Sequence, residues 1–274
     1  MTETVEFTEN LVKFFSTEKL KVCEITLLLI HYATMIIIEG NIGAGKSTFL
    51  SALANYAPHI YPITEPVDAW NSNQHSLLAQ FYADQHRWAF TLEMATLCAR
   101  IKDHRAVYNL LQDKICVAER SLYSGFYCFA RVGFLNGSMS PLEWEIYSDW
   151  FNYTATQLCP LPTGFIYLYT TPECAYKRIL KRARSAEQQL SLQYVTAIHD
   201  THEQLLIKRA EYLAPSLRTI PVLTLDCTID FEHSQERTKL LCEQAVEFIM
   251  NHEQKNGYIS QNNSATTGDG KYSG

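Results

Sequence analysis

The sequence lacks several features that would assign it to particular classes of protein. Its eight cysteines include no C-x-x-C pair, so we predict neither a zinc cluster nor a disulfide framework. Its formal charge is −6, whereas nucleic-acid-binding proteins usually carry an excess of basic residues. We therefore expect a reducing compartment, small-molecule ligands and no nucleic-acid partner.

The sequence also lacks an apolar run that could cross a membrane. The longest run, residues 25–38, is interrupted by His31 and Tyr32 and is shorter than the roughly 20 residues that a span needs. The first 24 residues include five glutamates, which argues against an acid-poor transit peptide. We predict no membrane partner and a cytosolic location.

What the sequence does contain is an alternation of short apolar runs with longer helix-compatible stretches. Because the runs stay apolar throughout, they indicate strands covered by helices on both faces. This predicts an α/β fold with a parallel sheet of about five strands, at residues 35–39, 60–64, 114–118, 164–169 and 221–225. A long helix is expected over residues 83–111.

The same patterns divide the chain into three parts. Residues 35–250 are predicted to form one domain. Residues 1–34 are predicted to be an N-terminal extension, with Met35 as an alternative start. Residues 251–274, rich in Gly, Ser, Asn and Thr, are predicted to be a disordered tail because they can bury little apolar surface.

A phosphate-binding pattern follows the first predicted strand. Residues 40–47, GNIGAGKS, fit G-x-x-x-x-G-K-[ST], in which glycines let backbone N–H groups surround phosphates at a helix N-terminus. In this pattern Lys46 holds the β- and γ-phosphates and Ser47 binds Mg²⁺. The motif predicts a bound nucleotide but does not identify the acceptor.

Charged side chains follow two other predicted strands. Glu65 comes before a proline after the second strand, and Glu119 and Arg120 end the third. A carboxylate can accept a proton from an incoming hydroxyl, a second can hold Mg²⁺, and an arginine can neutralise a phosphoryl group in transfer. Singly, each would be interpreted as a surface charge; together, at strand ends beside a phosphate site, they favour an active site.

Three arginines form a further basic segment. Arg178 and Arg182 are spaced i, i+4 and share a helix face, and Arg184 follows them. Such a segment can close over a nucleotide, stabilise phosphoryl oxygens and exclude water. Without the phosphate-binding pattern, a solvated basic helix face would be the better interpretation.

The ordered motifs resemble those of the deoxynucleoside kinase family, which includes the deoxycytidine, deoxyguanosine and mitochondrial thymidine kinases and the insect multisubstrate enzyme. The resemblance extends from Met35 to Phe248. It is carried by EGNIGAGKST, TEPVDAW, FYADQHRWAFTLEMATLCAR, ERSLYSGFYCFA, KRARSAEQ and LDCTIDF. It implies a P-loop kinase fold with an arginine-rich lid, a homodimer, and transfer of the γ-phosphoryl of ATP or another NTP to a deoxynucleoside 5′-hydroxyl.

The resemblance also assigns roles to individual residues. The implied catalytic residues are Glu65 as general base, Arg120, Lys46, Arg182 and Arg184. Glu119 joins Ser47 at the metal. The implied donor-binding residues are Gly40, Asn41, Ile42, Gly43, Ala44, Gly45, Lys46, Ser47, Thr48, Arg178, Arg182, Asp230 and Phe231. The implied nucleoside-binding residues include Glu65, Arg100 and Arg120. Tyr82 and Glu187 are expected to bind the sugar 3′-hydroxyl, and Trp70 and Phe129 are expected to lie around the base.

The chain departs from the family pattern at two positions that face the base. Glu93 replaces a glutamine, and Gly125 replaces the aspartate of the deoxycytidine and deoxyguanosine kinases, while Arg100 is retained. An ionised carboxylate only accepts hydrogen bonds, so Glu93 with Arg100 would complement the donors and acceptors of guanine. Two alternatives stay open: Glu93 pairs with Arg100, or the small Gly125 permits broad specificity.

Two other functions compete with this one. Thymidylate kinase also combines a P-loop with a Glu-Pro motif and an arginine lid, but its nucleotide substrate needs an additional basic pocket. A non-catalytic scaffold with the same fold occurs in respiratory complex I. The intact Lys46, Glu65 and Arg120 argue against the scaffold.

Overall fold

A computed structural model of the protein describes residues 34–67, 71–72, 75–110, 114–159, 161–187 and 189–264. Five of its strands form one parallel sheet in the order β2-β5-β1-β6-β7, and β3 and β4 form a separate antiparallel pair. The strands are β1 (Thr34–Glu39), β2 (Ile60–Ile63), β3 (Asn71–Ser72), β4 (His75–Ser76), β5 (Ile115–Glu119), β6 (Gly164–Tyr169) and β7 (Val222–Asp226). The predicted five-stranded parallel sheet is confirmed.

The helices surround this sheet. Those before β6 are α1 (Lys46–Tyr56), α2 (Leu77–Ala83), α3 (Gln85–Leu110), α4 (Leu122–Ser124), a π-helix (Gly125–Ala130), α5 (Arg131–Leu135) and α6 (Pro141–Gln157). Those after it are α7 (Pro172–Arg182), a 3₁₀ turn (Ser185–Glu187), α8 (Leu192–Leu206), α9 (Pro215–Arg218) and α10 (Gln235–Ser264). None of the described helices is both long and apolar enough to span a membrane.

The central strand β1 explains why its sequence is apolar without alternation. Its six residues are all buried, because successive side chains point to opposite faces and each face is covered. Met35 and Ile37 pack with α3, α6 and α8, whereas Ile36 and Ile38 pack with α1 and α10. The sheet therefore separates two apolar cores.

The strand order places a crevice beside β1. Strands β1 and β5 are neighbours, yet the chain leaves β1 toward β2 on one side and leaves β5 toward β6 on the other. In open parallel sheets, ligands bind where the connections diverge in this way, at the carboxyl ends of the strands. The phosphate-binding loop and the Glu119-Arg120 turn both follow strands at this point.

The structure differs from the sequence prediction at the carboxyl end. Helix α10 continues past residue 251, where the composition predicted the start of a disordered tail. The residues just after 251 include Glu253, Gln254 and Lys255, which have good helix propensity and can extend the helix before the glycine-rich segment. The division into residues 1–34, 35–250 and 251–274 stays a prediction.

Candidate active site

A cavity of about 250 Å³ opens at the carboxyl ends of β1, β2 and β5. It brings together side chains from the phosphate-binding loop, the end of β2, helices α2 and α3, the turn after β5, and the lid, which comprises the last residue of α7 and the turn after it (residues 182–187). The predicted site residues that line it are Ile42, Gly45, Lys46, Ser47, Thr48, Glu65, Tyr82, Glu93, Arg100, Glu119, Arg120, Phe129, Arg182, Arg184 and Glu187.

The phosphate-binding loop owes its path to three glycines with positive φ. These are Gly40 (151°), Gly43 (78°) and Gly45 (95°), a region that side-chain-bearing residues rarely adopt. Space is also restricted, because a Cβ on Gly43 would lie 2.5 Å from the carbonyl oxygen of Ala175. The loop therefore requires glycine for both backbone geometry and close packing.

Two polar side chains complete the loop. Asn41 donates from Nδ2 to the carbonyl oxygen of Val195 in α8 at 2.9 Å and accepts from the backbone N–H of Ile42 at 2.8 Å. Lys46 donates from Nζ to the carbonyl oxygen of Asn41 at 2.8 Å. Burial and then the nearby Arg120 lower the pKa of Lys46 to about 7. An anionic phosphate would favour the charged form of this lysine.

A hydroxyl and a carboxylate lie together at the first turn of α1. Ser47 donates from Oγ to Oε1 of Glu119 at 3.0 Å. Mg²⁺ is commonly held by one or two protein oxygens together with substrate phosphates. The pair fits the magnesium site that the motif predicts, since both groups are oxygen ligands beside the phosphate-binding loop.

Glu65 lies between two guanidinium groups. Its Oε1 accepts from Nη2 of Arg100 at 2.7 Å, and its Oε2 accepts from Nε of Arg120 at 3.2 Å. All three side chains are less than a tenth exposed. Burial alone would raise the pKa of Glu65, but Arg120, Arg100 and Lys46 outweigh it and hold this pKa below its usual value. Glu65 is therefore an ionised acceptor.

The turn after β5 fixes Arg120 in an unusual conformation. Its φ is 66°, and its N–H donates to the carbonyl oxygen of Ile38 at 2.9 Å. Its Nη1 donates to the carbonyl oxygen of Gly40 at 3.1 Å. The buried Glu39 carboxyl accepts from the backbone N–H and the hydroxyl of Ser121, at 3.0 and 2.6 Å.

Sequence reasoning missed Glu39 and Ser121 as supports of this turn. The available signal was a single carboxylate at the end of an otherwise apolar strand, because a buried carboxylate has to be paired or hydrogen-bonded. Burial raises the pKa of Glu39, although Arg120 and Ser121 act in the opposite direction. The carboxyl group therefore supports the turn mainly as a buried hydrogen-bond acceptor.

Glu93 lines the cavity without the partner that one alternative assigned to it. Arg100, seven residues later on α3, ion-pairs with Glu65, and the described residues include no ion pair between Arg100 and Glu93. The pairing alternative is therefore wrong, because Arg100 directs Nη2 to Glu65 and forms no ion pair with Glu93. Burial raises the pKa of Glu93 to about 8, with Arg100 and Arg120 opposing and Glu65 adding to the rise.

Gly125 acts through the space it leaves. It does not line the cavity, and a Cβ at this position would lie 2.6 Å from Nη1 of Arg100. A side chain on the first residue of the π-helix would therefore require the Arg100 guanidinium to shift.

The arginines of the lid meet at one buried carboxylate. Arg182 donates from Nη2 to both carboxylate oxygens of Glu187 at 2.8 Å, and Nη1 of Arg184 lies 3.7 Å from Oε1. Tyr82 also lines the cavity, and burial followed by Glu187 raises its pKa. The lid thus encloses the cavity with two cations and one carboxylate.

Comparison with known proteins agrees with this geometry. The deoxynucleoside kinase family model matches residues 36–250. The chain belongs to the deoxynucleoside kinase family. It is an ATP-dependent deoxynucleoside kinase with small-molecule substrates and a nucleotide phosphoryl donor, and the resemblance inferred from its motifs is confirmed.

Three relatives illustrate the range of the family. The kinase is 32% identical to mitochondrial deoxyguanosine kinase of Xenopus laevis, over 72% of this chain and 82% of the relative. It is 33% identical to human deoxycytidine kinase, over 77% and 89%. It is 31% identical to mitochondrial thymidine kinase 2 of Macaca fascicularis, over 81% and 80%. Two of the three are mitochondrial, so the cytosolic location of this kinase stays a prediction.

Several predicted residues lie outside the cavity of the kinase. Arg178 donates to the carbonyl oxygen of Thr228 at 3.3 Å. Asp230 is exposed, while Phe231 is buried edge-on against Phe49, 6.2 Å between ring centroids. Their contacts with the donor stay a prediction, and Trp70 lies outside the described residues.

The cavity also contains residues that sequence analysis did not identify. They share an apolar or hydroxyl-bearing surface suited to a sugar and a base, and they are Val67, Leu78, Phe81, Leu92, Thr96 and Tyr194. Leu92 and Thr96 lie one helical turn apart and share the α3 face that carries Glu93. This i, i+4 spacing beside a candidate ligand-binding carboxylate was the available signal.

The geometry of the phosphate-binding loop leads to a stability prediction. Gly43 and Gly137 have nearly equal φ values of 78° and 79°, but only Gly43 would place a Cβ against backbone. Gly137→Ala should lower the free energy of unfolding by about 1–2 kcal/mol through left-handed strain. Gly43→Ala should cost clearly more, as measured by urea denaturation. Equal losses would contradict the packing of the loop against Ala175.

Proposed function

We propose that the kinase transfers the γ-phosphoryl of ATP or another NTP to a deoxynucleoside 5′-hydroxyl, with Glu65 as general base. The observation that supports this role is the position of the ionised Glu65 carboxylate. It lines the cavity between the phosphate-binding loop and α3, and it is held by Arg100 and Arg120. A fixed acceptor beside the phosphates can take up the hydroxyl proton.

In the proposed reaction this carboxylate is the proton acceptor. The 5′-oxygen attacks the γ-phosphorus and a new O–P bond forms. The bond from that phosphorus to the β,γ-bridging oxygen breaks, and the nucleoside diphosphate leaves. The 5′-hydroxyl proton passes to Glu65. Phosphoryl transfer of this kind depends mainly on positioning and on neutralising charge.

The positive groups around the cavity suit that requirement. Lys46 lies in the phosphate-binding loop, and Arg182 and Arg184 extend from the lid. Ser47 and Glu119 would hold Mg²⁺, which when bound neutralises charge on the phosphates. The side chains therefore surround the site of transfer with donors and cations from two sides.

The nucleoside would bind on the α3 side of the cavity. Tyr82 and Glu187 line one wall and suit the 3′-hydroxyl of the sugar, while Phe129 provides an aromatic surface for the base. The ring of Phe129 is itself fixed, because the Arg120 guanidinium lies 4.6 Å from its centroid. A positioned sugar brings the 5′-hydroxyl toward Glu65.

The same contacts favour a nucleoside over a nucleotide acceptor. The cations of the cavity already contact oxygen atoms of the protein: Lys46 contacts a backbone carbonyl, Arg100 and Arg120 contact Glu65, and the lid arginines contact Glu187. A thymidylate kinase would need further basic groups for the acceptor phosphate, and the described residues that line this cavity include none.

The base preference is proposed to depend on the protonation of Glu93. The raised pKa of about 8 makes this carboxyl neutral near pH 7, so it can both donate and accept, as an amide does. In that form it suits the N3 acceptor of cytosine. When ionised, it suits the N1–H and N2–H donors of guanine, beside Arg100. Both deoxycytidine and deoxyguanosine are therefore proposed substrates, with deoxyguanosine favoured at higher pH.

An apolar stripe on α6 supports the proposed homodimer. Leu142, Ile146, Trp150 and Tyr153 follow one helix face and are between 40% and 66% exposed. A contiguous exposed apolar face on a helix typically marks an interaction surface. The same face on a second copy could cover it by two-fold symmetry.

Replacing the proposed base tests the mechanism. Glu65→Gln keeps the shape of the side chain but cannot accept the proton, so kcat should fall about 100-fold or more. Deoxynucleoside binding should stay within a few-fold when measured by calorimetry. Turnover close to that of the unmodified kinase would remove Glu65 from this role.

A substrate panel at two pH values tests the function and the base preference together. We expect at least one of the four deoxynucleosides to be converted to its 5′-monophosphate with ATP and Mg²⁺. The ratio of kcat/KM for deoxyguanosine to that for deoxycytidine should rise from pH 6.5 to pH 8.5. In Glu93→Gln the ratio should be lower at pH 8.5 and independent of pH. Absence of turnover with all four would contradict the kinase assignment, and an unchanged ratio would exclude Glu93 from reading the base.

A charge on the apolar stripe tests the homodimer. Trp150→Glu should convert a dimer to a monomer in sedimentation velocity, because a buried unpaired carboxylate is costly at an interface. Asn152→Glu adds the same charge to an exposed position outside the stripe and should leave the dimer intact. A monomeric unmodified kinase would contradict the proposal directly.

A further inference from the structure

The guanidinium of Arg100 is unusually placed for a residue expected to contact a base. It makes its hydrogen bond with Glu65, at 2.7 Å, while its Nε is buried without a hydrogen-bond partner. On α3 it also lies seven residues after Glu93 and four after Thr96, and all three line the cavity. Arg100 therefore faces both the proposed general base and the space that a nucleobase would occupy.

On the side away from Glu65, the Arg100 guanidinium has few interactions with its surroundings. Gly125 provides no side chain, and its Cβ position would be 2.6 Å from Nη1. The hydroxyl of Tyr147, which lies 3.6 Å from that position, is fully buried and has no hydrogen-bond partner. Among the described residues, Glu65 is thus the single hydrogen-bonding partner of this guanidinium.

Building on the proposed function, we propose that Arg100 is shared between Glu65 and the substrate. Arg100 forms an ion pair with Glu65 in the free kinase. When a deoxynucleoside binds, the guanidinium forms hydrogen bonds with the base in place of this ion pair. Arg100 then acts as a positioning residue for the reaction, because occupation of the base pocket changes the charge around the carboxylate that accepts the proton.

The consequence for Glu65 follows from the charges that face it. Arg120 faces it from the turn after β5, Arg100 from α3 and Lys46 from α1, and together they lower its pKa. Glu93 faces it from α3 as a second carboxyl. Moving one guanidinium toward the base removes part of this effect, so Glu65 becomes a stronger proton acceptor when substrate is present. The base pocket thereby promotes transfer only after it is filled.

The acceptor atoms of nucleobases are suited to this exchange. Guanine presents O6 and N7, and cytosine presents O2 and N3, as acceptors toward a guanidinium. Arg100 has an unused N–H at Nε. That N–H is buried, so a base reaches the guanidinium through the atoms that line the cavity and competes there with Glu65.

The pH dependence of turnover gives the main test. The acid limb of kcat/KM reports groups in the free enzyme, and the acid limb of kcat reports the same groups in the complex. We expect the kcat limb to lie at higher pH than the kcat/KM limb in the unmodified kinase. Arg100→Met should reduce the difference between the two apparent pKa values, because it raises the one seen in kcat/KM. It should also weaken deoxynucleoside binding by about tenfold or more. An unchanged difference, or unchanged binding, would overturn the proposal.

Two further variants separate the charge effect from a general loss of structure. Gly125→Ala keeps Arg100 but places a Cβ against Nη1, and should raise the kcat/KM limb as Arg100→Met does. Tyr147→Phe removes only the unpartnered hydroxyl and should leave both limbs unchanged. If Gly125→Ala behaves like Tyr147→Phe, the contact between Arg100 and Glu65 has no effect on the proton acceptor.

A measurement without turnover distinguishes this proposal from the proposed function. Carbon-13 NMR of the glutamate carboxyl groups, with Glu65→Gln for assignment, follows the titration of Glu65 directly. The pKa of Glu65 should rise in Arg100→Met, and in the unmodified kinase it should rise when deoxyguanosine or deoxycytidine is added without ATP. A fixed pKa overturns the sharing of Arg100 even if the kinase is active, whereas absence of turnover contradicts only the proposed function.

Discussion

The structure depends on keeping opposite charges paired at one buried edge of an apolar sheet. Lys46, Glu65, Arg100 and Arg120 are all less than a tenth exposed, and isolated charges in such surroundings would be very costly. The ion pairs of Glu65 offset the cost of burying these charges at the edge of the sheet. They do not use every hydrogen-bonding group, since Nε of Arg100 has no partner. Breaking one such pair without replacement is strongly destabilising, so a ligand that supplies the replacement is favoured.

The backbone around this edge is as constrained as the charges. Arg120 adopts a positive φ, and the phosphate-binding loop does so at its glycines. Conformations of this kind persist only where the surrounding structure holds them. Here the buried Glu39 carboxyl binds Ser121, and β1 binds the N–H of Arg120. The core strand therefore fixes the position of the reactive side chains through hydrogen bonds at its own end.

Local patterns allowed much of the fold and part of the site to be predicted. The five strands and the phosphate-binding loop follow from short runs of residues whose preferences agree with the final structure. The partner of Arg100 could not be predicted in this way, because Glu65 is 35 positions away in the sequence and only the folded sheet brings the two together. The protonation of Glu93 likewise depends on burial by other elements, whereas the guanine prediction made from the sequence assumed an ionised carboxylate. Glu39 was interpreted only as the end of a strand, since nothing adjacent to it reveals Ser121.

The side chain of Asn41 has a mechanical consequence. Its hydrogen bond to the carbonyl oxygen of Val195 joins the phosphate-binding loop to the first turn of α8, and α8 follows directly from the segment that carries Glu187. If the loop shifts when it takes up phosphate, it must either carry the start of α8 with it or break a buried hydrogen bond worth about 1 kcal/mol. The amide group of Asn41 therefore couples the position of the phosphate-binding loop to that of the start of α8.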